Sequence, residues 1–469
     1  MTNLGQLLCL AAENHQDGEV PLGITLLFGA LLVAMIAGLA LEEKIHAKKS
    51  LIVGLFAGLC LLLGAWLLPL PFGPVVLPGG HEVRLPVYIP GIDWGVIAII
   101  LGSSLFVDVT SKSGLFSFVA ITLTKASRGD PLRLLWVYGV MTVVFSAVLN
   151  NVTAMIIVGS LTGVSLKKLG KGDLLLGFLL IEALLTNIGG LLTLISSVPN
   201  IIVGTTAGIS FVEFFIKAGP FVAVATVATI MLGARLFGIR RLIGPEERAE
   251  AAFLVEGFDE NDGIESRGFF YFAAFMLVAF IGTIATTSVL PVVSDLEMGF
   301  VALAFAGVML IRYKHDVNRF YRAVDWDLLG FFAALFAVIS IMEHAEVLAL
   351  IGEGLEHLID LGDTLGPASI LVSSAVASSV TDNIPLAAML AKIFAARGTP
   401  PDSILWWAVI FGANLGGNLT PIGSASTLVA VTIIHKYKLP LSFGAFVRKA
   451  LPFAAMQIVL ALVYVLIAL

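Results

Sequence analysis

Residues 22–41 and 50–70 are apolar stretches, each long enough to cross a bilayer, and similar stretches recur to the end of the chain. A spanning helix needs about 20 apolar residues. Backbone exposed to hydrocarbon must satisfy its own hydrogen bonds, which leaves helices or a closed barrel. Runs of this length and continuity fit helices, so the chain is read as an all-α polytopic membrane protein. Composition agrees. Of 469 residues, 58% are hydrophobic and 13% charged, where soluble proteins carry about 25% charged residues. Spans are predicted over 22–41, 50–70, 92–110, 173–208 (broken), 219–238, 269–288, 297–312, 325–342, 402–434 (broken) and 445–468. Two further apolar stretches, 131–166 and 366–396, are interrupted near their centres by polar residues. Each is read as a re-entrant helical hairpin that enters the membrane and returns on the same side.

The positions of Lys and Arg, rather than the net charge of −6, set the orientation. With this layout all but four of the 27 basic residues fall on one side. The four are Arg84, Lys217, Lys392 and Arg397. The rich side is therefore cytoplasmic and both termini face out, in a cell (inner) membrane. The N-terminal tail, 1–21, has no basic n-region and is not read as a cleaved signal peptide. The polar stretch 239–268 is read as a solvated cytoplasmic linker, and no large soluble domain is expected. Cys9 and Cys60 follow no metal or disulfide pattern and are read as apolar fillers.

Two polar interruptions resemble one another: "NIGGLLTLISSVPN", from Asn187, and "NLGGNLTPIGSAST", from Asn414. Their surroundings match as well. "GIDWGVIAIILGSSLF" from Gly91 answers "AVDWDLLGFFAALFAV" from Ala323, and "SAVLNNVTAMII" from Ser146 answers "SSVTDNIPLAAM" from Ser378. The offsets are 232, 232 and 227 residues. The chain thus divides into a first repeat, 22–238, and a second, 269–469, each with five spans and a hairpin. An odd number of spans inverts the second copy. Inverted repeats with broken helices mark secondary transporters, whose site lies near the midplane. Gly189-Gly190 and Gly416-Gly417 are expected to let the chain unwind and approach closely, with Pro199 and Pro421 discouraging continuous helix.

The candidate site follows from this pattern. The first hairpin tip supplies Asn150, Asn151 and Thr153, and the first broken helix Asn187, Gly189, Gly190, Thr193, Ser196, Ser197 and Asn200. The second tip supplies Thr381, Asp382 and Asn383. The second broken helix supplies Asn414, Gly416, Gly417, Asn418, Thr420, Ser424, Ser426 and Thr427. Asp382 is a carboxylate at membrane depth, which is functional by default, although an Asp before Asn-Ile-Pro also fits a helix cap. Asp382 and Glu182 are the proton-coupling candidates. Asp108 is placed at an interface. Asp93-Trp94 and Asp325-Trp326 are read as helix caps with aromatic anchors. No Lys or Arg falls within the tips or glycine loops, so a multiply charged anion would need bound sodium or helix N-termini for compensation.

These stretches resemble the ion transporter superfamily, within it the arsenite pump, sodium-proton antiporter and melanosomal P-protein group, with di- and tricarboxylate-sodium symporters as more distant relatives. The resemblance runs from about Gly91 to the end. It implies a homodimer with a scaffold and a moving transport domain working as an elevator, with the hairpin tips and broken helices meeting at the substrate. Many relatives carry Asp-Asn at the first tip, where this chain has Asn150-Asn151, and Gly-Asp-Pro-Pro-Asn where it has "SSVPN". Two acidic positions are thus neutral.

The expected function is a proton-coupled exporter of a small inorganic solute, arsenite- or antimonite-like or Na+. The alternative is a Na+-coupled symporter of a di- or tricarboxylate or an oxyanion. An enzyme is not expected. The chain lacks HExxH, GxSxG and GxGD, and "HEVRL" at His81 departs at the fifth position. No cofactor is expected beyond bound Na+, and no metal site beyond that ion. The partners are the bilayer, the solute and a second copy, with no nucleic acid.

Overall fold

The computed structural model describes residues 20–68, 70, 74–76, 82–86, 88–315 and 317–469. Cys9, His81 and all but the last two residues of the expected tail 1–21 lie outside them. Helices α1 (Leu22–Ala40), α2 (Glu42–Ile45) and α3 (Lys49–Leu67) open the chain. A short antiparallel ribbon follows, β1 (Pro74–Val76) with β2 (Glu82–Arg84), and Val75 pairs with Val83. It is the one departure from helix among the described elements.

The first half continues with α4 (Trp94–Lys112), α5 (Leu115–Ala126), α6 (Pro131–Val148), α7 (Asn151–Lys168), α8 (Leu175–Gly189), α9 (Val198–Ala207) and α10 (Phe211–Leu236). Helix α11 (Pro245–Glu256) precedes α12 (Arg267–Thr286), α13 (Val293–Arg312) and α14 (Val317–Ala323). The second half runs through α15 (Trp326–His344), α16 (Val347–Ile359), α17 (Leu365–Val380), α18 (Asn383–Ala396), α19 (Ile404–Gly416), α20 (Ala425–Lys436) and α21 (Phe443–Ala468).

The second series follows the first element by element. Helices α4 and α15 each have 19 residues and begin 232 positions apart. Asp93 caps the first by accepting from Val96 N, and Asp325 caps the second by accepting from Leu328 N, both at 3.0 Å. Trp94 and Trp326 each donate their indole N–H to the carbonyl five residues back, at 3.0 Å. The capping reading of these pairs holds. Helices α10 and α21 each have 26 residues with a proline inside, Pro220 and Pro452.

Among the described residues ten helices are long and apolar enough to cross a membrane, but they are not the ten expected segments. Helix α6, an expected hairpin arm, is among them with 18 residues, which at 1.5 Å per residue reaches about 27 Å. The stretch 402–434 is not, because its break leaves halves of 13 and 12 residues. The span expected over 219–238 starts eight residues earlier, since Ser210 caps α10 and Pro220 is absorbed inside it. Helices α5 and α16 were not foreseen as separate elements. Each starts just after a long helix, behind a left-handed residue, Gly114 or Glu346.

The polar stretch 239–268 is more than a solvated linker. Leu242 N donates to Asp130 Oδ2 at 3.0 Å, and Ala251 and Val255 of α11 are buried. Lys125 pairs with Glu260, and Lys168 lies over the Phe258 ring at 4.0 Å. Cys60 is fully buried among apolar residues, as a filler would be.

Candidate functional site

Each hairpin turns in two residues. Helix α6 ends at Val148 and α7 starts at Asn151, while α17 ends at Val380 and α18 starts at Asn383. The residue before each second arm is its N-cap. Asn150 Oδ1 accepts from Thr153 N at 2.7 Å, and Asp382 Oδ1 accepts from Ile384 N at 3.0 Å. A cap of this kind satisfies an otherwise orphaned helix N–H.

The tips are fastened to the broken helices by the same bonds in both halves. Ser146 Oγ donates to Thr186 O at 2.6 Å, and Ser378 Oγ donates to Ala413 O at 2.5 Å. Thr193 Oγ1 donates to Ala147 O at 2.7 Å, and Thr420 Oγ1 donates to Ser379 O at 2.6 Å. Gly189 and Gly416 make this fit possible. A Cβ on either would lie 2.6 Å from Val143 O or 2.2 Å from Ala375 O. The glycine pairs therefore serve close approach rather than unusual backbone. Gly190 and Gly417 sit at φ −60° and −59°, ordinary helical values. A Cβ on Gly190 would also meet Asn151 Nδ2 at 2.9 Å.

Between the two breaks lies a buried amide network. Asn187 Nδ2 donates to Asn418 Oδ1 at 2.8 Å and to Ser424 Oγ at 2.9 Å, and its Oδ1 accepts from Ser426 at 3.1 Å. Asn414 Nδ2 donates to Asn200 Oδ1 at 2.9 Å, and Ser197 Oγ donates to Asn414 Oδ1 at 2.8 Å. Asn200 in turn donates to Gly190 O at 2.6 Å. Asn418 continues to Gln457 Oε1 at 2.7 Å, and Gln457 to Thr229 Oγ1 at 3.0 Å. Gln457 was not anticipated from the sequence. Its signal is a single amide in the apolar run "AAMQIVLA". Such a network, when fully satisfied, specifies one arrangement of the helices that share it.

The tips and breaks enclose a cavity of about 370 Å³. Asn150, Asn151, Thr153, Asn187, Ser196, Ser197, Asp382, Asn383, Ser424 and Ser426 line it. Gly189, Gly190, Thr193, Asn200, Asn414, Gly416, Gly417, Asn418, Thr420 and Thr427 form the layer behind, holding the lining in place. Thr381 also does not line it. Its hydroxyl bonds back to Ala377 O at 2.8 Å. Glu182 is not at the cavity either. It is fully buried, accepts from Thr162 Oγ1 at 2.5 Å through Oε1, and its Oε2 has no partner among the described residues.

Two charged lining residues escaped the sequence reading. Lys49, in the first turn of α3, places Nζ 2.5 Å from Asp382 Oδ2. Asp108 of α4, expected at an interface, lines the cavity instead. Its place at the end of a helix was legible, but the side that α4 turns to the tips was not. Asp325 completes the charged lining while capping α15.

Ten membrane-length helices among the described residues, with paired hairpins and broken helices around this cavity, have the build of a membrane transporter. The chain belongs to the citrate transporter family (CitMHS), which it matches over residues 19–412. It is 32% identical over 380 residues to an uncharacterized transporter of Mycobacterium tuberculosis, covering 80% of this chain and 86% of that protein. It is 25% identical over 540 residues to the human P protein, covering 98% of this chain and 62% of that one. Its fold is similar to that of the Alcanivorax borkumensis YdaH transporter, with a TM-score of 0.57 at 12% identity, over 89% of this chain and 98% of that one. The Neisseria gonorrhoeae MtrF structure gives 0.56 at 15% identity, over 90% and 95% of the two chains.

Proposed function

We propose that this chain is a secondary active transporter that carries a small carboxylate or oxyanion together with a cation by alternating access. The observation that carries this reading is the convergence of four helix N-termini, those of α7, α9, α18 and α20, on one cavity. Each such end has an effective charge of roughly +0.5 and offers N–H groups to an anion. That of α9 has no side-chain cap. Opposing them are Asp108, Asp325 and Asp382. Lys49 offsets Asp382, and Asp325 is turned to its own helix. Asp108 is left to balance a cation. Citrate, named in the family's description, is the first solute to try. The cavity's volume falls within the roughly 300–1,000 Å³ common for small-molecule sites.

In this reading the two series of helices are inverted repeats, and the tips and broken helices move as an elevator against a scaffold in a homodimer. Support comes from the recurring offsets of 232, 232 and 227 residues and from the matching hairpins and broken helices of the two halves. The bias of basic residues supports both termini outside and 239–268 on the cytoplasmic side of a cell (inner) membrane. Uptake by proteoliposomes tests the function, with citrate, arsenite and sodium compared under imposed sodium and proton gradients. Citrate flux that depends on one cation gradient is expected. A second reading, proton-coupled export of an arsenite- or antimonite-like solute or of Na+, draws on the amide and hydroxyl lining, whose one basic side chain is already paired. Arsenite or sodium flux without citrate flux selects it and removes the first.

A further inference from the structure

Lys49 and Asp382 lie 333 residues apart, on elements whose main neighbours differ and which share α15. Helix α3, which carries Lys49, packs mainly along α15 and α1. Helix α18, which Asp382 caps, packs mainly on α9, α19, α16 and α17, and more lightly on α15. The ammonium–carboxylate contact of 2.5 Å therefore ties the tip of the second hairpin to the first turn of α3. The side chains are 31% and 12% exposed, so the pair is largely removed from water. The other charges around it are all acidic: Glu42 at 3.7 Å from Lys49, Asp327 hydrogen-bonded by neighbouring Ser50, and Asp108 and Asp325 across the cavity.

Pulling a shielded ion pair apart leaves two unmatched charges and is strongly unfavourable. The pair therefore holds an empty carrier with its second tip against α3. A cation arriving at Asp382 replaces the positive charge there and removes that hold, while Lys49 keeps the company of Glu42 and Asp327. We infer that Lys49 is a resident cation at Asp382, which the coupling ion must displace before the hairpin tip can leave α3. This inference rests on the cation-coupled reading above. It adds the residue that makes coupling obligatory and names the ligand of Asp382 as a small cation, an alkali ion or a proton. In this role Lys49 acts through Asp382 rather than on the solute, so it is a positioning residue.

The test uses purified full-length protein in detergent and reads melting temperature against sodium chloride, with choline chloride holding ionic strength constant. The chains compared are the wild type, Lys49→Met, Lys49→Arg and Asp382→Asn. Removing the competing ammonium should lower the sodium concentration for half-maximal stabilisation about tenfold in Lys49→Met, the scale of an opposite charge at contact. Lys49→Arg should retain the wild-type value, and Asp382→Asn should lose the response. If the proton is the ion, the same series run against pH in choline shows the Lys49→Met midpoint moved to higher pH. A Lys49→Met protein that answers both ions as the wild type does overturns the inference, as does indifference of every variant to both. Citrate in choline that reproduces the shift without either ion also overturns it, because Lys49 would then be a ligand of the anion. The melting series needs no transport, so absence of cation-dependent flux in proteoliposomes would remove the proposed function without touching this result.

Discussion

Asn151 and Asn383 hold matching places at the two hairpin tips, yet their surroundings differ. Asn151 accepts from Ser146 Oγ at 2.6 Å and reaches Asn187 at 3.4 Å. Asn383 lines the same cavity with no side-chain hydrogen bond among the described residues. Asn383→Ala should therefore cut transport while leaving the melting temperature unchanged. Asn151→Ala should lower both, at a cost of about 0.5–1.5 kcal/mol for the lost hydrogen bonding. Full activity in both variants would remove the tips from the site. Asp108→Asn should weaken cation dependence without loss of folded protein, and unchanged cation dependence in initial-rate measurements would return Asp108 to a structural role. Most lining residues were legible in the sequence because they recur at a fixed offset. Lys49 was not, because its partner is 333 residues away and no periodicity links the two. Gln457 was not, because its counterpart in the first half is absent from the pattern.

At the scale of elements, the legible features were those with a local cause. Asp93, Asn150, Asp325 and Asp382 announce helix starts, and their carboxylate or amide oxygens accept the expected N–H groups. The role of the glycine pairs was less legible, since a glycine signals freedom of the backbone and closeness of a neighbour alike. The neighbour decides here. Gly189→Ala and Gly416→Ala press a methyl on the backbone of the adjoining hairpin arm, and each should cost about 1–3 kcal/mol. Melting in detergent measures this, and a loss-free variant would mean that the arm can retreat. Helix α11 was hidden for another reason. Its burial depends on α5 and α7, which the sequence places far away. Nearby, the hydrogen bond from Lys125 holds the Glu260 carboxyl below its ordinary value of 4.5. A depressed acid stabilises the docked linker above that ordinary value and loses the contribution as pH falls through the lowered one. Hydrogen exchange in residues 245–256 should accordingly rise below about pH 4.5 in the wild type. In Glu260→Gln it should be raised and flat over the same range, and identical profiles would detach Glu260 from docking.

For the molecule as a whole, the decisive quantity is the side on which each hairpin opens. The loop after the first hairpin carries Lys167, Lys168 and Lys171, and the loop after the second carries only Arg397. The positive-inside rule separates them, and the inverted arrangement requires the same separation, since each hairpin must enter and leave on one side. Lys49 and Lys112 belong to the basic-rich side, and they mark the ends of α3 and α4 nearest the cavity. Under the proposed orientation the second tip, held by Lys49, is expected to stand toward the cytoplasm, the posture of a carrier open inward. Cysteine labelling of intact cells with a membrane-impermeant thiol reagent tests this, in a background with Cys9 and Cys60 replaced. Lys168 and Arg397 are both exposed, so access depends on sidedness alone. Arg397→Cys should label from outside and Lys168→Cys should not. A third cysteine, replacing half-buried Thr153 at the first tip, should label slowly in the resting carrier, and faster when solute and gradient drive the tip outward. Equal labelling at Lys168 and Arg397 would falsify the inverted arrangement. Labelling at Thr153 indifferent to solute and gradient would remove the alternating motion built on it.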